Sequence, residues 1–121
     1  MLYIGIDLGT SAVKLLLMDE AGEIKNIVSR TYPIEFPRPG WSQQSPEDWR
    51  EAVLEGIPEL LAGHDAHSVA GIGAGGQMHG LVVLDRDDRV IRPAILWNDG
   101  RTAREVDYLN GEVGKEKLSR L

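Results

Sequence analysis

Leu2, Ile4, Ile6 and Leu8 alternate with Tyr3, Gly5 and Asp7. This period of two predicts a strand whose acid faces away from the Ile4/Ile6 side. Ala12 to Met18 is nearly all apolar, broken only by Lys14, and reads as a second strand covered on both faces. Asp19-Glu20-Ala21-Gly22 has the composition of a hairpin turn, with glycine placed for positive φ. Glu23 to Tyr32, with Ile24, Ile27 and Val28, continues as a third strand. The chain thus opens with three sequential antiparallel strands. Pro33 to Gln44 is an extended, proline-rich connector. Ser45-Pro46-Glu47-Asp48 then marks a helix start, with a serine N-cap, proline at the first helical position and acids in the first turn. Trp49, Ala52, Val53, Ile57, Leu60 and Leu61 share one apolar face at helical spacing. Pro58 is expected to kink the helix or end it early, and Gly63 suits the position just past its end.

Ser68 to Gly73 reads as a short strand of glycine and small apolar residues, and Gly80 to Asp85 as another. Arg86-Asp87-Asp88-Arg89 is a polar turn, and Val90 to Trp97 continues extended around Pro93. Asn98 and Asp99 are placed to cap a helix running through Thr102, Val106 and Leu109. Gly111 to Leu121 alternates charge with few apolar residues. Strands, then a helix, then further strands describe an α/β domain with a mixed sheet of the ribonuclease-H-like kind.

Composition narrows the function classes. With 121 residues the chain suits one domain and one modest core. No apolar run approaches the roughly 20 residues of a membrane span, and Met1-Leu2-Tyr3-Ile4 lacks the basic start of a signal peptide. There is no cysteine, which excludes disulfides and thiolate metal sites and is compatible with a reducing cytoplasm. A net charge of −6 disfavours nucleic acid or an anionic membrane as partner, but not a nucleotide held in a local pocket.

The candidate chemistry begins at Asp7-Leu8-Gly9-Thr10-Ser11-Ala12-Val13-Lys14, where an apolar strand ends in an acid and a hydroxyl-rich turn leads to a cation. Backbone N–H groups, two hydroxyls and an ammonium can cradle phosphate, and the acid can hold Mg²⁺ through water. A plain polar turn would use the same residues. Lys14 sharpens the phosphate reading, because an ammonium buried in an apolar strand requires a compensating anion. Gly71-Ile72-Gly73-Ala74-Gly75-Gly76 matches G-x-G-x-x-G, yet no helix follows, so a dinucleotide site is rejected in favour of close backbone approach. Gln77 and His79 can each donate and accept hydrogen bonds, as a polyol requires, although a lone histidine is also a common structural residue. Trp97 stands beside Asn98, Asp99 and Arg101, an arrangement suited to stacking on a sugar and binding its hydroxyls, or to a core tryptophan followed by a helix cap. Trp41 and Trp49 read as packing anchors of the connector and helix.

Taken together, Tyr3 to Ser11, Trp41-Ser42-Gln43-Gln44-Ser45-Pro46-Glu47-Asp48-Trp49, Gly76-Gln77-Met78-His79-Gly80 and Pro93 to Arg101 resemble the amino-terminal part of the FGGY carbohydrate kinases. The resemblance covers nearly the whole chain. The opening motif alone marks the wider actin-like ATPase group, whereas Gln-Met-His-Gly with Leu-Trp-Asn-Asp-Gly-Arg favours xylulose over glycerol as substrate class. The resemblance implies that Asp7 supports Mg²⁺ and the transferred phosphate, and that Gly9, Thr10, Ser11 and Lys14 lie near the nucleotide phosphates. It further implies that Met78 and His79 contact a ketose, and that Trp97, Asn98 and Asp99 line or support the sugar pocket. The family reaction moves the γ-phosphoryl of ATP to a sugar hydroxyl, here giving xylulose 5-phosphate, with ribulose, gluconate or glycerol as alternatives. Family members are about four times longer and close two domains on a cleft. Residues 1–121 are therefore expected to be part of the first, sugar-binding domain, without the nucleotide-binding domain or the catalytic base. Such a piece is expected to be inactive alone, and its uncovered sheet invites dimerisation or strand exchange. A non-catalytic binding module on the same core is the remaining alternative.

Overall fold

The computed structural model describes residues 1–121. The leading strands are β1 (Leu2–Leu8), β2 (Ala12–Asp19) and β3 (Ile24–Thr31), antiparallel in succession. The β2–β3 turn forms as the sequence predicts. Gly22 adopts φ +82°, and Asp19 Oδ1 accepts from the N–H groups of Ala21 and Glu23, each at 2.9 Å. The connector ends in β4 (Gln43–Gln44), and helix α1 (Pro46–Leu60), a single 3₁₀ turn over Ala66–Ser68 and strand β5 (Val69–Gly76) follow. Strand β5 lies parallel to β1, giving the mixed order β3-β2-β1-β5.

Period two decides which side chains meet α1. Val13, Leu15 and Leu17 of β2 are fully buried with Ile4 and Val28 against Ala52 and Leu60 of the helix. Each such aliphatic side chain contributes roughly 1.5–3 kcal/mol on burial. Arg30 of β3 reaches Glu55 and Glu59 on the helix surface, at 3.3 and 2.7 Å.

The intervening residues of β2 point to the other face, where Tyr3, Leu16 and Met18 border an open cleft with Gly71 and Gly73. Lys14 is exposed there. The expectation that β2 is covered on both faces, and with it the argument from a buried ammonium, therefore fails: a strand with one packed face leaves alternate positions to solvent.

Helix α1 starts where the sequence places it, but the Ser45 side chain makes no capping bond. Pro46, which has no N–H, already removes one of the unpaired donors. Pro58 sits in the last turn and the helix closes at Leu60, followed by Gly63 at φ +78°.

Beyond β5 the chain is less regular than its pattern suggests. Gly80 to Asp85 forms no continuous strand; Leu81 bridges to Ile95 and Leu84 to Val90 singly. Strand β6 (Ala94–Ile95) instead pairs with β4, carrying the 90s segment onto the connector. Helix α2 (Ala103–Tyr108) begins after Thr102, later than a cap at Asn98 or Asp99 predicts, because Asp99 is engaged elsewhere. The charged tail is helical, through a π turn (Leu109–Gly114) and α3 (Lys115–Leu118). No helix is long and apolar enough to cross a membrane.

Candidate active site

Strands β1 and β5 run parallel and end side by side, the usual place for a ligand crevice in an α/β sheet. The turn after β1 is closed by Gly9 N–H donating to Ala12 O at 2.9 Å. A Cβ on Gly9 would lie 2.8 Å from that same oxygen, so the close approach demands glycine. Tyr32, buried at the end of β3, donates its hydroxyl proton to Gly9 O from behind. Burial, then the nearby Asp7 charge, pushes the Tyr32 phenol up to about 12. The N–H groups of Thr10 and Ser11 donate to nothing within the chain, and Ser11 is exposed.

The segment after β5 folds over this turn. Gln77 N–H donates to Leu8 O at 2.8 Å, extending the parallel ladder by one bond. The Thr10 hydroxyl donates to Gln77 Oε1 at 3.2 Å and accepts from Trp97 Nε1 at 3.2 Å. Thr10, Gln77, Met78, His79 and Trp97 thereby line one open cavity of about 390 Å³. Met78 and Trp97 are 71% and 57% exposed, so their apolar surfaces are available to a ligand. His79 adopts φ +61°, a left-handed conformation costing a non-glycine residue roughly 1–2 kcal/mol and often found at functional sites.

Other predicted residues lie outside this cavity. Asp7 and Lys14 face each other across β1 and β2 one step back from the turn, both exposed. Neither enters an ion pair. Asn98 borders a separate groove formed by Phe36 to Ser42. The Asp99 carboxylate is buried, accepting from Ser42 N–H at 2.6 Å and from Arg101 Nε and Nη2 at 2.9 and 2.8 Å. The Arg101 guanidinium beside it lowers its pKa to about 2. Arg101 in turn stacks 3.9 Å over the Trp41 ring. Asp99 thus pins the Trp97 segment to the connector and has no free oxygen edge for a sugar. Trp49 packs on the core as expected, and its indole N–H donates to Gln44.

Gln44 is the residue that pattern reading missed. It is 1% exposed and contacts Thr10, Pro33, Trp49 and Gln77. A polar residue in an irregular connector carries no periodic signal of burial. The Gln-Gln within the Trp41 to Trp49 motif was the only pointer.

The model of the N-terminal domain of the FGGY family of carbohydrate kinases matches residues 2–121. The chain belongs to the FGGY family. Among curated relatives, the xylulose kinase of Escherichia coli K12 is 44% identical over 117 residues, covering 97% of this chain and 24% of that protein. A solved structure described as a xyloylose kinase from Brucella ovis superposes with a TM-score of 0.86 at 44% identity, over 93% of this chain and 24% of that one. A gluconate kinase from Lactobacillus acidophilus reaches a TM-score of 0.90 at 30% identity, covering 98% and 24%. This FGGY chain spans about a quarter of the length of the curated relatives it matches. The solved sugar kinases share this mixed α/β fold over about a quarter of their length.

Proposed function

We propose that residues 1–121 carry the sugar-contacting wall and the first phosphate turn of a kinase that transfers the γ-phosphoryl group of ATP to D-xylulose. The reading is carried by the Trp97–Thr10 hydrogen bond, which joins an aromatic wall suited to a sugar to a turn suited to phosphate. Trp97 offers its ring to the C–H face of the ketose, Met78 covers it, and His79 exchanges hydrogen bonds with its hydroxyls. The free N–H groups of Thr10 and Ser11, with Ser11 Oγ and Lys14, receive phosphate oxygens. Asp7 fits Mg²⁺ in the way that ion prefers, as a lone accessible carboxylate that leaves the remaining positions to water and phosphate. No cluster of three acidic or histidine groups is present for a fully protein-bound metal. Bound Mg²⁺ supplies charge neutralisation on the phosphates. The sugar hydroxyl oxygen bonds to the γ-phosphorus while the bond to the ADP oxygen breaks, and the hydroxyl proton passes to a base lying beyond residue 121. Asp7 is not among the residues lining the cavity with Met78, His79 and Trp97, and its task is electrostatic. The second, nucleotide-binding domain also lies beyond residue 121, and the lack of cysteine suits a cytoplasmic enzyme.

Gluconate is the second reading, since the Lactobacillus acidophilus gluconate kinase matches the fold equally well. ADP release by the complete protein separates the two. D-xylulose is expected to give the highest kcat/KM among D-xylulose, D-ribulose, gluconate and glycerol, and residues 1–121 alone no turnover. A higher value for D-ribulose, gluconate or glycerol, or turnover by residues 1–121, would overturn the assignment.

A further inference from the structure

The side chain of Gln44 uses its whole hydrogen-bonding capacity inside the protein. Nε2 donates to Thr10 O at 2.5 Å and to Pro33 O at 3.3 Å, and Oε1 accepts from Trp49 Nε1 at 3.0 Å and Gln77 Nε2 at 3.3 Å. A carboxamide has two N–H donors and two oxygen lone pairs, so nothing is left over. Its orientation is fixed by chemistry, because an indole N–H can only donate and the oxygen must face Trp49.

That orientation propagates. Gln77 must present Nε2 to Gln44, which leaves Gln77 Oε1 to accept the single Thr10 hydroxyl proton. The Thr10 oxygen then accepts from Trp97, a second donor-only indole. Two tryptophans at opposite ends set the direction of every bond between them. The Thr10 hydroxyl keeps no proton for a phosphate, so the turn's phosphate donors are its backbone N–H groups and Ser11. One buried carboxamide in the connector therefore ties together the turn after β1, the segment after β5, helix α1 and, through Thr10, the Trp97 segment.

We infer that Gln44 is a positioning residue for phosphoryl transfer: through Thr10 and Gln77 it fixes the separation of the sugar wall from the phosphate turn. The inference rests on the kinase reading. Its effect falls on the geometry of the reacting groups, where a displacement of about 1 Å costs up to a hundredfold in rate.

The test uses the complete enzyme with Gln44→Met, which keeps the length and removes the hydrogen bonds. Two readouts are taken: the ¹⁵N–H resonance of the Trp97 indole, assigned with Trp97→Phe, and kcat per folded enzyme. We expect the Trp97 resonance to shift and kcat to fall at least tenfold, with KM for ATP and sugar changing less than threefold. Gln77→Met, in a less buried position, is expected to shift the same resonance and guards against a Gln44 variant that fails to fold. Combining the two should cost less than the sum of the single losses, because Gln44 on the Thr10 carbonyl and Gln77 on the Thr10 hydroxyl belong to one hydrogen-bonded network. An unmoved Trp97 resonance, an unchanged kcat or additive losses would each overturn the inference. Absence of xylulose turnover by the unsubstituted enzyme would refute the kinase reading instead, while the Trp97 resonance would still report on Gln44.

Discussion

The indole N–H of Trp97 donates to the hydroxyl of Thr10 at 3.2 Å, across 87 positions of sequence. The bond makes one crevice of two segments that the chain order keeps far apart. Trp97→Phe retains an aromatic face and removes the donor. In the complete enzyme it is expected to lower kcat/KM for D-xylulose about two- to tenfold, the equivalent of one hydrogen bond of about 0.5–1.5 kcal/mol. Trp97→Ala also removes the stacking face and is expected to cost more, mainly through a raised sugar KM. Steady-state kinetics of both variants check this, and equal losses would mean that the ring contributes nothing.

Gly9→Ala places a methyl group 2.8 Å from the carbonyl oxygen that closes the turn. The obstructing atom is backbone, with no flexible end to yield. The substitution is expected to destabilise the protein by about 1–3 kcal/mol through overpacking and to raise the KM for ATP. Urea denaturation and ATP titration read the two effects separately.

Asp99 has a pH-dependent structural role. Its carboxyl is depressed from 3.8 to about 2, chiefly by Arg101. A depressed acid contributes stability that is fully present above its unfolded pKa and is lost as pH falls through the folded value. The Asp99 contribution should therefore be complete above about 3.8 and disappear on acidification towards about 2. Urea midpoints measured across that window should fall less steeply for Asp99→Asn than for the unsubstituted protein. Arg101→Met leaves a buried carboxylate unpaired and should cost about 3–5 kcal/mol at neutral pH.

Much of this architecture is legible in the sequence where a period meets a punctuating residue. The alternation from Leu2 to Leu8, the Asp19–Gly22 turn and the Ser45-Pro46 start each fix an element to within a residue or so. The order of elements implies a mixed sheet, but that β5 is the strand lying parallel to β1 is seen only in the structure. The exposure of Lys14 is not legible, because an apolar run does not reveal whether one or both faces are packed. Gly80 to Asp85 has strand composition but lacks a continuous neighbour, since the 90s segment pairs with the connector. The meeting of Thr10, Met78, His79 and Trp97 was readable through family motifs. The inward turn of Asp99, by contrast, depends on Ser42 and Arg101, partners that spacing alone does not pair.

Strand β5 is the sheet's outer strand beside β1, and Val69–Gly76 contains neither charge nor proline to discourage pairing. Residues 1–121 expressed alone are expected to self-associate along this edge. Sedimentation equilibrium should give a mass above 13.3 kDa that rises with concentration. Gly73→Lys, at a position with open space around its Cβ, should return the mass towards the monomer. A concentration-independent monomer in the unsubstituted chain would contradict the expectation.

A crystal structure of the complete protein with D-xylulose addresses the sugar site itself. The ketose should lie against Trp97, with hydroxyls in hydrogen-bonding reach of His79 and its carbon skeleton covered by Met78, on the side where Thr10 and Ser11 present their N–H groups. Sugar density elsewhere, with Met78, His79 and Trp97 untouched, would contradict the account.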